Sequence, residues 1–458
     1  MDSDLLQNYR PVSSLPINSK ITEKLALKQL MKHLHNNNLL CKYQSAYRPG
    51  HSCETALMKI YNDVLEYISP TTYVVLVFLD FSAAFDTIDH NILIKRLSQD
   101  YGIKGTALKW FNSYLHGRSY KVKVNNTTSD STPLIHGVPQ GSILGPILFS
   151  LYTKEISNIA QSFNINVHVY ADDTQLYMKC DENTDFTIME KCIQSISNWS
   201  NNNFLKLNSR KTKILAVSSQ KYSLDKITHL NILGDTIQVD SSVRNLGFIL
   251  DEYLTMGQHI NRVCSLGYGM LRNLWKISKK VTDQDLRTQL VHSGILSRIN
   301  YCNSLYTFIP GTQTKKLQKL MNASARFIFN IKGKERFEHI TPRLRQLHFL
   351  PVNYRSDFKL CLMVYKCLND GNSPTYLTEL VNIRKPNKNW NLRKDEDTTL
   401  LDYRPSVKGY KSRSFSQAAP ILWNQLPKQL RASQSTDIFK SNLKTYLFKK
   451  WAIDSNLS

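Results

Sequence analysis

The chain has 458 residues, of which 41% are hydrophobic and 10% are aromatic, so its composition excludes a largely disordered protein. No apolar run approaches the ~18 residues of a membrane span, and the eight cysteines contain no C-x-x-C pair, which argues against a zinc knuckle or a disulfide framework. The net charge of +23 lies almost wholly in residues 256–458, which hold 34 Lys and Arg against 13 Asp and Glu, and it favours a nucleic acid partner over a merely solvated basic surface.

The first 250 residues alternate predicted helices with predicted strands. Helices are predicted at Lys20–Asn36, Ser52–Ile68, Asn91–Gln99, Thr106–Leu115 and Phe186–Asn198. Strands are predicted at Tyr73–Asp80, Lys121–Val124, on both sides of Asp172, and at Ile214–Val217. Beyond about Met256 the pattern is helical, with helices at Gln258–Ser278, Asp283–Ser297, Thr314–Phe329 and Tyr354–Leu368. The predicted class is therefore α+β with an all-helical second half.

The first chemical feature along the chain is an apolar strand that ends in a carboxylate. The run from Val74 to Leu79 leads directly to Asp80, and rigid strand ends are common places for site residues. Taken alone, an Asp at such a position is more often a helix cap or a turn. The small residues Ser82 to Ala84 allow backbone N–H groups to approach an anion such as a triphosphate, and Phe85 adds a bulky ring.

A glycine-bracketed loop comes next. It contains Gly137, Gln140 and Gly141, and it leads into the apolar helix predicted at Ile143–Phe149. Glycines permit close backbone approach, and the N-terminus of a helix favours phosphate. Because such loops are frequent, this signal is weak by itself.

Two adjacent carboxylates, Asp172 and Asp173, lie at the tip of a predicted hairpin. Neighbouring like charges repel, so the pair is unfavourable unless a cation lies between them. Mg²⁺ suits this place because it binds one or two carboxylates together with water and phosphate oxygens. A polar turn is the ordinary alternative. The basic turn that contains Lys211 follows, and it would either supply a cation for a leaving phosphate or be solvated.

In this order and spacing, the four segments resemble motifs A to D of the reverse transcriptase palm. They are F-L-D-F-S-A-A-F-D-T-I-D-H at 78–90, G-V-P-Q-G-S-I-L-G-P-I-L-F at 137–149, Y-A-D-D at 170–173 and L-x-L-N-x-x-K-T-K at 205–213. The forms are similar to those of non-LTR retrotransposons of the Jockey and CR1 kind. Asn8–Ser13 and Gln44–Gly50 resemble fingers motifs of that family, and Val243–Phe248 resembles its primer-gripping turn.

The resemblance implies a right-hand polymerase fold, α+β in class, whose antiparallel palm sheet is flanked by helices. Fingers and palm would occupy residues 1–255, a helical thumb 256–335, and a basic C-terminal region 336–458, with a polar linker near 384–415. The implied activity is RNA-directed DNA polymerisation, in which a DNA 3′-hydroxyl is extended on an RNA template by two-metal-ion nucleotidyl transfer. The implied partners are the RNA template, a DNA primer and deoxynucleoside triphosphates, with no membrane.

Full-length relatives in this family carry an endonuclease domain and a further fingers segment upstream of the matching region. The alternative is therefore a catalytically incomplete RNA-binding remnant of such an element, and an endonuclease supplied elsewhere is an expected partner. The scattered cysteines and the absence of a basic-then-apolar signal at the first residues favour an intracellular location. The family implies the nucleus at the site of action, or an RNA–protein particle in the cytoplasm.

The resemblance also implies roles for single residues. Asp80, Asp172 and Asp173 would hold two Mg²⁺ ions, with Mn²⁺ as a substitute, and the main-chain carbonyl of Phe81 would complete a metal shell. Lys211 would be the acid that assists pyrophosphate departure.

The remaining implied roles concern the incoming nucleotide. Phe85 would exclude a ribose 2′-hydroxyl, and Ala84 beside it would contact the nucleotide. Gln140 and Gly141 would pack beside the nucleotide and the template. Arg10 would clamp the triphosphate.

Overall fold

The computed structural model describes residues 12–82, 85–219, 227–307, 309–384, 399–404 and 409–456. The α-helices in these ranges are α1 (Ile17–Asn36), α2 (Cys53–Tyr67), α3 (His90–Gln99), α4 (Gly105–Leu115), α5 (Gly145–Tyr152), α6 (Glu155–Ser162), α7 (Thr187–Asn202), α8 (Gly257–Lys276), α9 (Gln284–Val291), α10 (Ser297–Asn300), α11 (Gly311–Ile328), α12 (Thr341–Gln346), α13 (Val352–Asn369), α14 (Thr375–Thr378), α15 (Phe415–Asn424), α16 (Lys428–Arg431) and α17 (Thr436–Asn456). The strands are β1 (Tyr73–Leu79), β2 (Phe81–Ser82), β3 (Ser119–Tyr120), β4 (Lys123–Val124), β5 (Thr127–Thr128), β6 (Thr132–Pro133), β7 (Asn166–Tyr170), β8 (Asp173–Cys180), β9 (Lys206–Leu207), β10 (Lys213–Val217), β11 (His229–Ile232), β12 (Asp235–Asp240), β13 (Ser242–Asn245) and β14 (Phe248–Asp251). Within the described ranges, no helix has both the length and the apolar character that a membrane crossing requires.

A six-stranded sheet organises the first half of the chain, in the order β11-β12-β10-β1-β8-β7. Its strand β1 pairs antiparallel with β10 on one side and with β8 on the other. Successive side chains of a strand point to opposite faces of the sheet, and both faces of β1 are covered. Val75 and Val77 therefore enter one apolar core, whereas Val74 and Leu76 enter the other. This double burial explains why β1 is apolar throughout and was predictable as a strand.

The two cores use different helices. The first core is formed with α1 and α3 to α7, and the second with α2 and the helices from α8 to the end of the chain. Helix α2 begins with a reciprocal cap: Ser52 Oγ accepts a hydrogen bond from the Thr55 N–H at 3.2 Å, and Thr55 Oγ1 accepts one from the Ser52 N–H at 2.9 Å. This reciprocal arrangement satisfies two N–H groups that the helix itself leaves unpaired. Helix α2 is buried along most of its length, with side chains in the second core beside β1 and the helical half.

The C-terminal residues fold back onto α2 and the sheet. Lys359 Nζ lies 2.9 Å from Glu54 Oε2 of α2. The hydroxyls of Tyr376 and Ser45 share a hydrogen bond of 2.7 Å, and both are buried. The second core runs across the boundaries predicted at residues 255 and 335, so those boundaries remain predictions.

The structure differs from the predicted elements in several places. Strands β11 to β14 were not predicted. The predicted strand Lys121–Val124 is reduced to β4, because every residue of the β4–β5 ribbon is exposed and no core face supports longer pairing. A π-helical turn at His292–Leu296 interrupts the helix predicted at Asp283–Ser297. Helix α15 begins at Phe415, the last residue of the predicted linker, while residues 385–398 and 405–408 of that linker lie outside the described residues.

Candidate active site

The carboxylates singled out in the sequence lie at one end of the central sheet. Strand β1 ends at Leu79, which lies opposite Thr174 of β8. Asp80 therefore follows β1 at the end of the sheet where Asp173 begins β8. Asp172 lies at the tip of the β7–β8 hairpin, directly before Asp173. The fold thus brings three carboxylate-bearing backbone positions to one sheet end.

The three side chains differ in exposure. Asp80 is 38% exposed, Asp172 is half-buried and Asp173 is exposed. In the described ranges, no group of three or more His, Cys, Asp or Glu side chains is arranged to hold a metal ion. Carboxylate oxygens are the donors that Mg²⁺ prefers, and Mg²⁺ usually completes its shell with water and substrate phosphates rather than with a cage of protein ligands. The donor chemistry of this sheet end therefore fits Mg²⁺.

A second, short ladder brings the basic turn to Asp80. Phe81, which begins β2, is buried and lies opposite Leu207 of β9. The Asn208 N–H donates to the main-chain carbonyl of Asp80 at 2.9 Å. Lys211 lies in the 3-10 turn that follows, and its Nζ is 3.8 Å from Asp80 Oδ2. Lys211 is largely exposed, whereas Asp80 is half-buried and its Oδ2 is shielded from solvent. At 3.8 Å and with an exposed ammonium, this ion pair is weak in itself, but it places a cation beside the predicted metal ligand.

The glycine-bracketed loop lies against the segment that follows Asp80. The Val138 N–H donates to the Phe85 carbonyl at 3.0 Å, and Gln140 Nε2 donates to both carboxylate oxygens of Asp86, at 2.9 and 2.8 Å. Gly137 has a φ of 81°, and a Cβ there would approach the Asp86 main chain to 2.8 Å. Only glycine therefore allows the loop to pack this closely.

The same loop also contacts the residues that precede α1. The Ser13 N–H donates to the Gln140 carbonyl at 2.8 Å. Gly141 has a φ of 108°, and a Cβ there would lie 3.2 Å from the Ser13 carbonyl oxygen. Contacts with Asp86 on one side and with Ser13 on the other therefore fix the conformation of this loop.

The helix N-terminus behind this loop is occupied by a carboxylate of the protein. Glu23 of α1 is 1% exposed, and its Oε2 accepts hydrogen bonds from the N–H groups of Ile143 at 2.7 Å and Leu144 at 3.1 Å. Free N–H groups and the helix dipole favour an anion at this position. Glu23 therefore supplies an anion to the two N–H groups directly before α5, beside the helix N-terminus where the sequence favours a phosphate.

A buried glutamine holds the tip of the carboxylate hairpin. Gln44 is 5% exposed, and its Oε1 accepts hydrogen bonds from the Ala171 N–H at 3.1 Å and the Ala46 N–H at 3.0 Å. The segment that carries Gln44 also pairs with β7 through two main-chain hydrogen bonds to Val169, of 2.8 and 2.9 Å. Ala171 has a φ of 58°, which is uncommon for a residue with a Cβ. Gln44 therefore stabilises an unusual turn directly beside Asp172.

Tyr47 lies beside the paired carboxylates. Burial raises the pKa of the Tyr47 hydroxyl, and the negative charges of Asp172 and Asp173 raise it further. Tyr47 is nevertheless 48% exposed and has a φ of 61°. A neutral phenol therefore lies within the electrostatic influence of the carboxylate pair.

Similarity to known proteins decides the family. A family model described as reverse transcriptase (RNA-dependent DNA polymerase) matches residues 2–250. The chain belongs to the reverse transcriptase family.

Curated relatives of this chain include proteins from mobile elements of Drosophila melanogaster. The probable RNA-directed DNA polymerase from transposon BS is 28% identical over 288 residues, which is 60% of this chain and 31% of that protein. The RNA-directed DNA polymerase from mobile element jockey is 27% identical over 264 residues, which is 56% of this chain and 28% of that protein. The chain thus spans about 30% of the length of these two relatives.

Solved structures show a weaker overall similarity. The apo telomerase of Candida tropicalis has a TM-score of 0.40 at 12% identity, covering 73% of this chain and 55% of that chain. The RNA-dependent RNA polymerase of a human picorbirnavirus has a TM-score of 0.37 at 15% identity, covering 76% of this chain and 57% of that chain.

The family model and the jockey-like relatives confirm the resemblance predicted from the motifs. The predicted fold class is confirmed as well. The chain has the α+β right-hand polymerase fold of its family, with a largely antiparallel sheet flanked by helices and a helical second half.

The predicted site residues fall into three groups in this structure. Those at the sheet end are Asp80, Phe81, Asp172, Asp173 and Lys211. Those on the adjoining loop and its contact segment are Phe85, Gln140 and Gly141. Those outside the described residues are Arg10 and Ala84.

Sequence reasoning missed three residues that shape this site. Gln44 and Tyr47 belong to the segment that resembles a fingers motif, but neither received a role of its own. Glu23 is the single acidic residue of α1, where it follows no visible motif. The available signal for Glu23 was an isolated acid on a helix that is otherwise rich in lysine.

Replacing Gln44 with leucine should lower the rate of nucleotide incorporation. The substitution leaves the Ala171 and Ala46 N–H groups unpaired in a buried place, so the turn that carries Asp172 shifts. A displacement of this kind near reacting atoms lowers kcat by up to about 100-fold, while KM for the nucleotide changes little. Single-turnover primer extension over a series of nucleotide concentrations measures the rate constant of addition and the apparent affinity for the nucleotide.

Gln29→Leu on the exposed side of α1 is the matched control for this substitution. The control should retain the wild-type rate. A folded Gln44→Leu variant with wild-type kcat would contradict the role of Gln44 in positioning the turn.

Proposed function

We propose that this chain is an RNA-directed DNA polymerase that extends a DNA 3′-hydroxyl on an RNA template. The observation that carries the proposal is the single sheet end that holds Asp80, Asp172 and Asp173, with Lys211 3.8 Å from Asp80, in a chain of the reverse transcriptase family. Three carboxylates and one ammonium on a rigid strand end are suited to phosphoryl transfer, where positioning and charge stabilisation dominate.

The residues of the sheet end would divide the chemistry between them. Asp80, Asp172, Asp173 and the main-chain carbonyl of Phe81 would hold two Mg²⁺ ions, for which Mn²⁺ is a substitute. When bound, such ions lower the pKa of an attacking hydroxyl and neutralise a leaving phosphate. Lys211 would deliver a proton and a positive charge to the departing pyrophosphate. Its weak ion pair with Asp80 leaves the ammonium available for that exchange.

The glycine-bracketed loop would form the side of the nucleotide site. Gln140 and Gly141 would contact the nucleotide and the template. Hydrogen bonds to Asp86 and Ser13 fix the conformation of their loop. Phe85 would lie against the ribose. The partners that follow from this function are the RNA template, a DNA primer, deoxynucleoside triphosphates and an endonuclease that supplies the primer end.

Primer extension on an annealed RNA template tests the proposal. With Mg²⁺ and one deoxynucleotide at a time, the chain should add only the nucleotide that the template specifies. Omission of the template is the control, and it should abolish addition. Tight RNA binding without incorporation at any Mg²⁺ or Mn²⁺ concentration would instead identify a catalytically inactive RNA-binding protein.

A further inference from the structure

Helix α1 carries a row of four lysines along its exposed surface. The lysine row consists of Lys20, Lys24, Lys28 and Lys32, all of which are exposed. They are spaced by four residues, so neighbouring members lie about 6 Å apart along the helix axis and the row spans about 18 Å. This spacing resembles that of successive phosphates along an extended nucleic acid strand.

No acidic side chain of α1 neutralises the lysine row. Glu23 is the only acid in this helix, and it is buried against the N–H groups of Ile143 and Leu144. Within the described residues, no lysine of the row forms an ion pair with a carboxylate. Like charges four residues apart destabilise a helix, so the row is unfavourable unless an anion lies along it.

Exposed apolar side chains lie on the same side of α1 as the row. Ile17, Ile21 and Leu25 are 76%, 55% and 61% exposed, and they also follow a four-residue spacing. A helix turns by 3.6 residues, so these positions and the lysines share one face. A partner that fits this face offers apolar surface as well as negative charge, as the bases and phosphates of a single strand do.

The lysine row begins next to the candidate active site. Glu23 fixes the first turns of α1 to the loop that precedes α5, and Ser13, just before the helix, binds Gln140 of that loop. The row then leads away from the loop along the helix. The row therefore starts on the part of α1 that is anchored to this loop, and it provides four positive charges along the exposed face of the helix.

We propose that the lysine row binds the phosphates of the single-stranded RNA template next to the candidate active site. The inference rests on the proposed polymerase function. Lysines act on phosphates as point charges and read no sequence, so this contact is independent of template sequence and sensitive to salt. A basic helix with apolar side chains also suits an anionic membrane surface, and the experiment separates the two.

Changing all four lysines of the row to glutamine tests the proposal. Affinity is measured over a salt series on an RNA–DNA primer duplex with a single-stranded RNA overhang, without nucleotide. Each phosphate contact to a single strand contributes about 0.7 to the slope of log affinity against log salt. Loss of four contacts should therefore reduce the slope by about 3. Glutamine is a good helix former, so the exposed substitutions should leave the fold intact.

The matched control changes four exposed lysines that are scattered over other elements: Lys179, Lys191, Lys428 and Lys444. This variant has the same net charge but should keep the wild-type slope. An unchanged slope in the lysine-row variant, or an equal change in the control, would overturn the proposal. Loss of binding to phosphatidylserine vesicles with no change in RNA affinity would also overturn it and assign the row to a membrane. This binding assay contains no nucleotide, so its result does not depend on whether the chain polymerises.

Discussion

Asp80→Asn, Asp172→Asn and Asp173→Asn should each reduce primer extension on RNA by more than about 100-fold, because changes to groups one shell beyond metal ligands already cost 10–100-fold. Asparagine keeps the size of the side chain but removes the charge that a bound cation requires. RNA affinity should change little, since these residues are acidic and do not attract phosphate. Rapid-quench measurement of single-nucleotide addition gives the rate.

The thermal midpoint distinguishes loss of catalysis from loss of the fold. Asp172 and Asp173 are adjacent like charges, so neutralising one of them removes a repulsion and should not lower the midpoint. Asp130→Asn, on an exposed ribbon, is the control and should retain full activity. If Asp172→Asn adds nucleotides at the wild-type rate, the sheet end is not the catalytic centre.

The sheet end was predictable because its elements are local. The apolar run of β1 is buried on both faces, and such a strand is visible in the sequence without knowledge of its neighbours. The Asp172–Asp173 hairpin likewise depends on strands that lie directly on either side of it. Asp80 and that hairpin are about ninety residues apart in the sequence. The order of the motifs predicted that they belong to one site, whereas composition and periodicity alone would not have.

The supports of the site were not predictable, because they are contacts between distant segments. Gln44 and Ala171 are separated by 127 residues, and Glu23 and Ile143 by 120. A polar residue that will be buried by such a contact looks the same in the sequence as one that will be solvated. Burial and a matched pair of N–H groups identify the role only after the chain has folded.

The packing of the C-terminal half of the chain against the sheet could not be predicted from the sequence either. Charge and periodicity predicted a basic helical second half, and the helices are present. Charge and periodicity do not show that Tyr376 enters a buried hydrogen-bond network with Ser45 and His168 beneath the carboxylate hairpin. Such networks are specific to one packing arrangement, so the C-terminal residues stabilise the part of the sheet that carries the hairpin.

Phe85→Val should weaken the preference for deoxynucleotides over ribonucleotides by about 100-fold, the discrimination that an apolar pocket provides against an added hydroxyl. The Phe85 ring stacks on Phe149 of α5, with centroids 4.5 Å apart and planes at 24°. Its main-chain carbonyl accepts the Val138 N–H. Phe149 therefore packs against the ring and the loop holds its backbone, which is the rigidity that exclusion of a 2′-hydroxyl would require.

The ratio of kcat/KM for dCTP and CTP opposite a template guanine measures this preference directly. A ratio is needed because loss of the Phe149 contact also lowers the overall rate, and that loss affects both nucleotides alike. Phe163→Val, an equal change at a half-buried phenylalanine just after α6, is the control and should leave the ratio unchanged. If Phe85→Val keeps the wild-type ratio while Phe163→Val does the same, sugar discrimination depends on other residues than this ring.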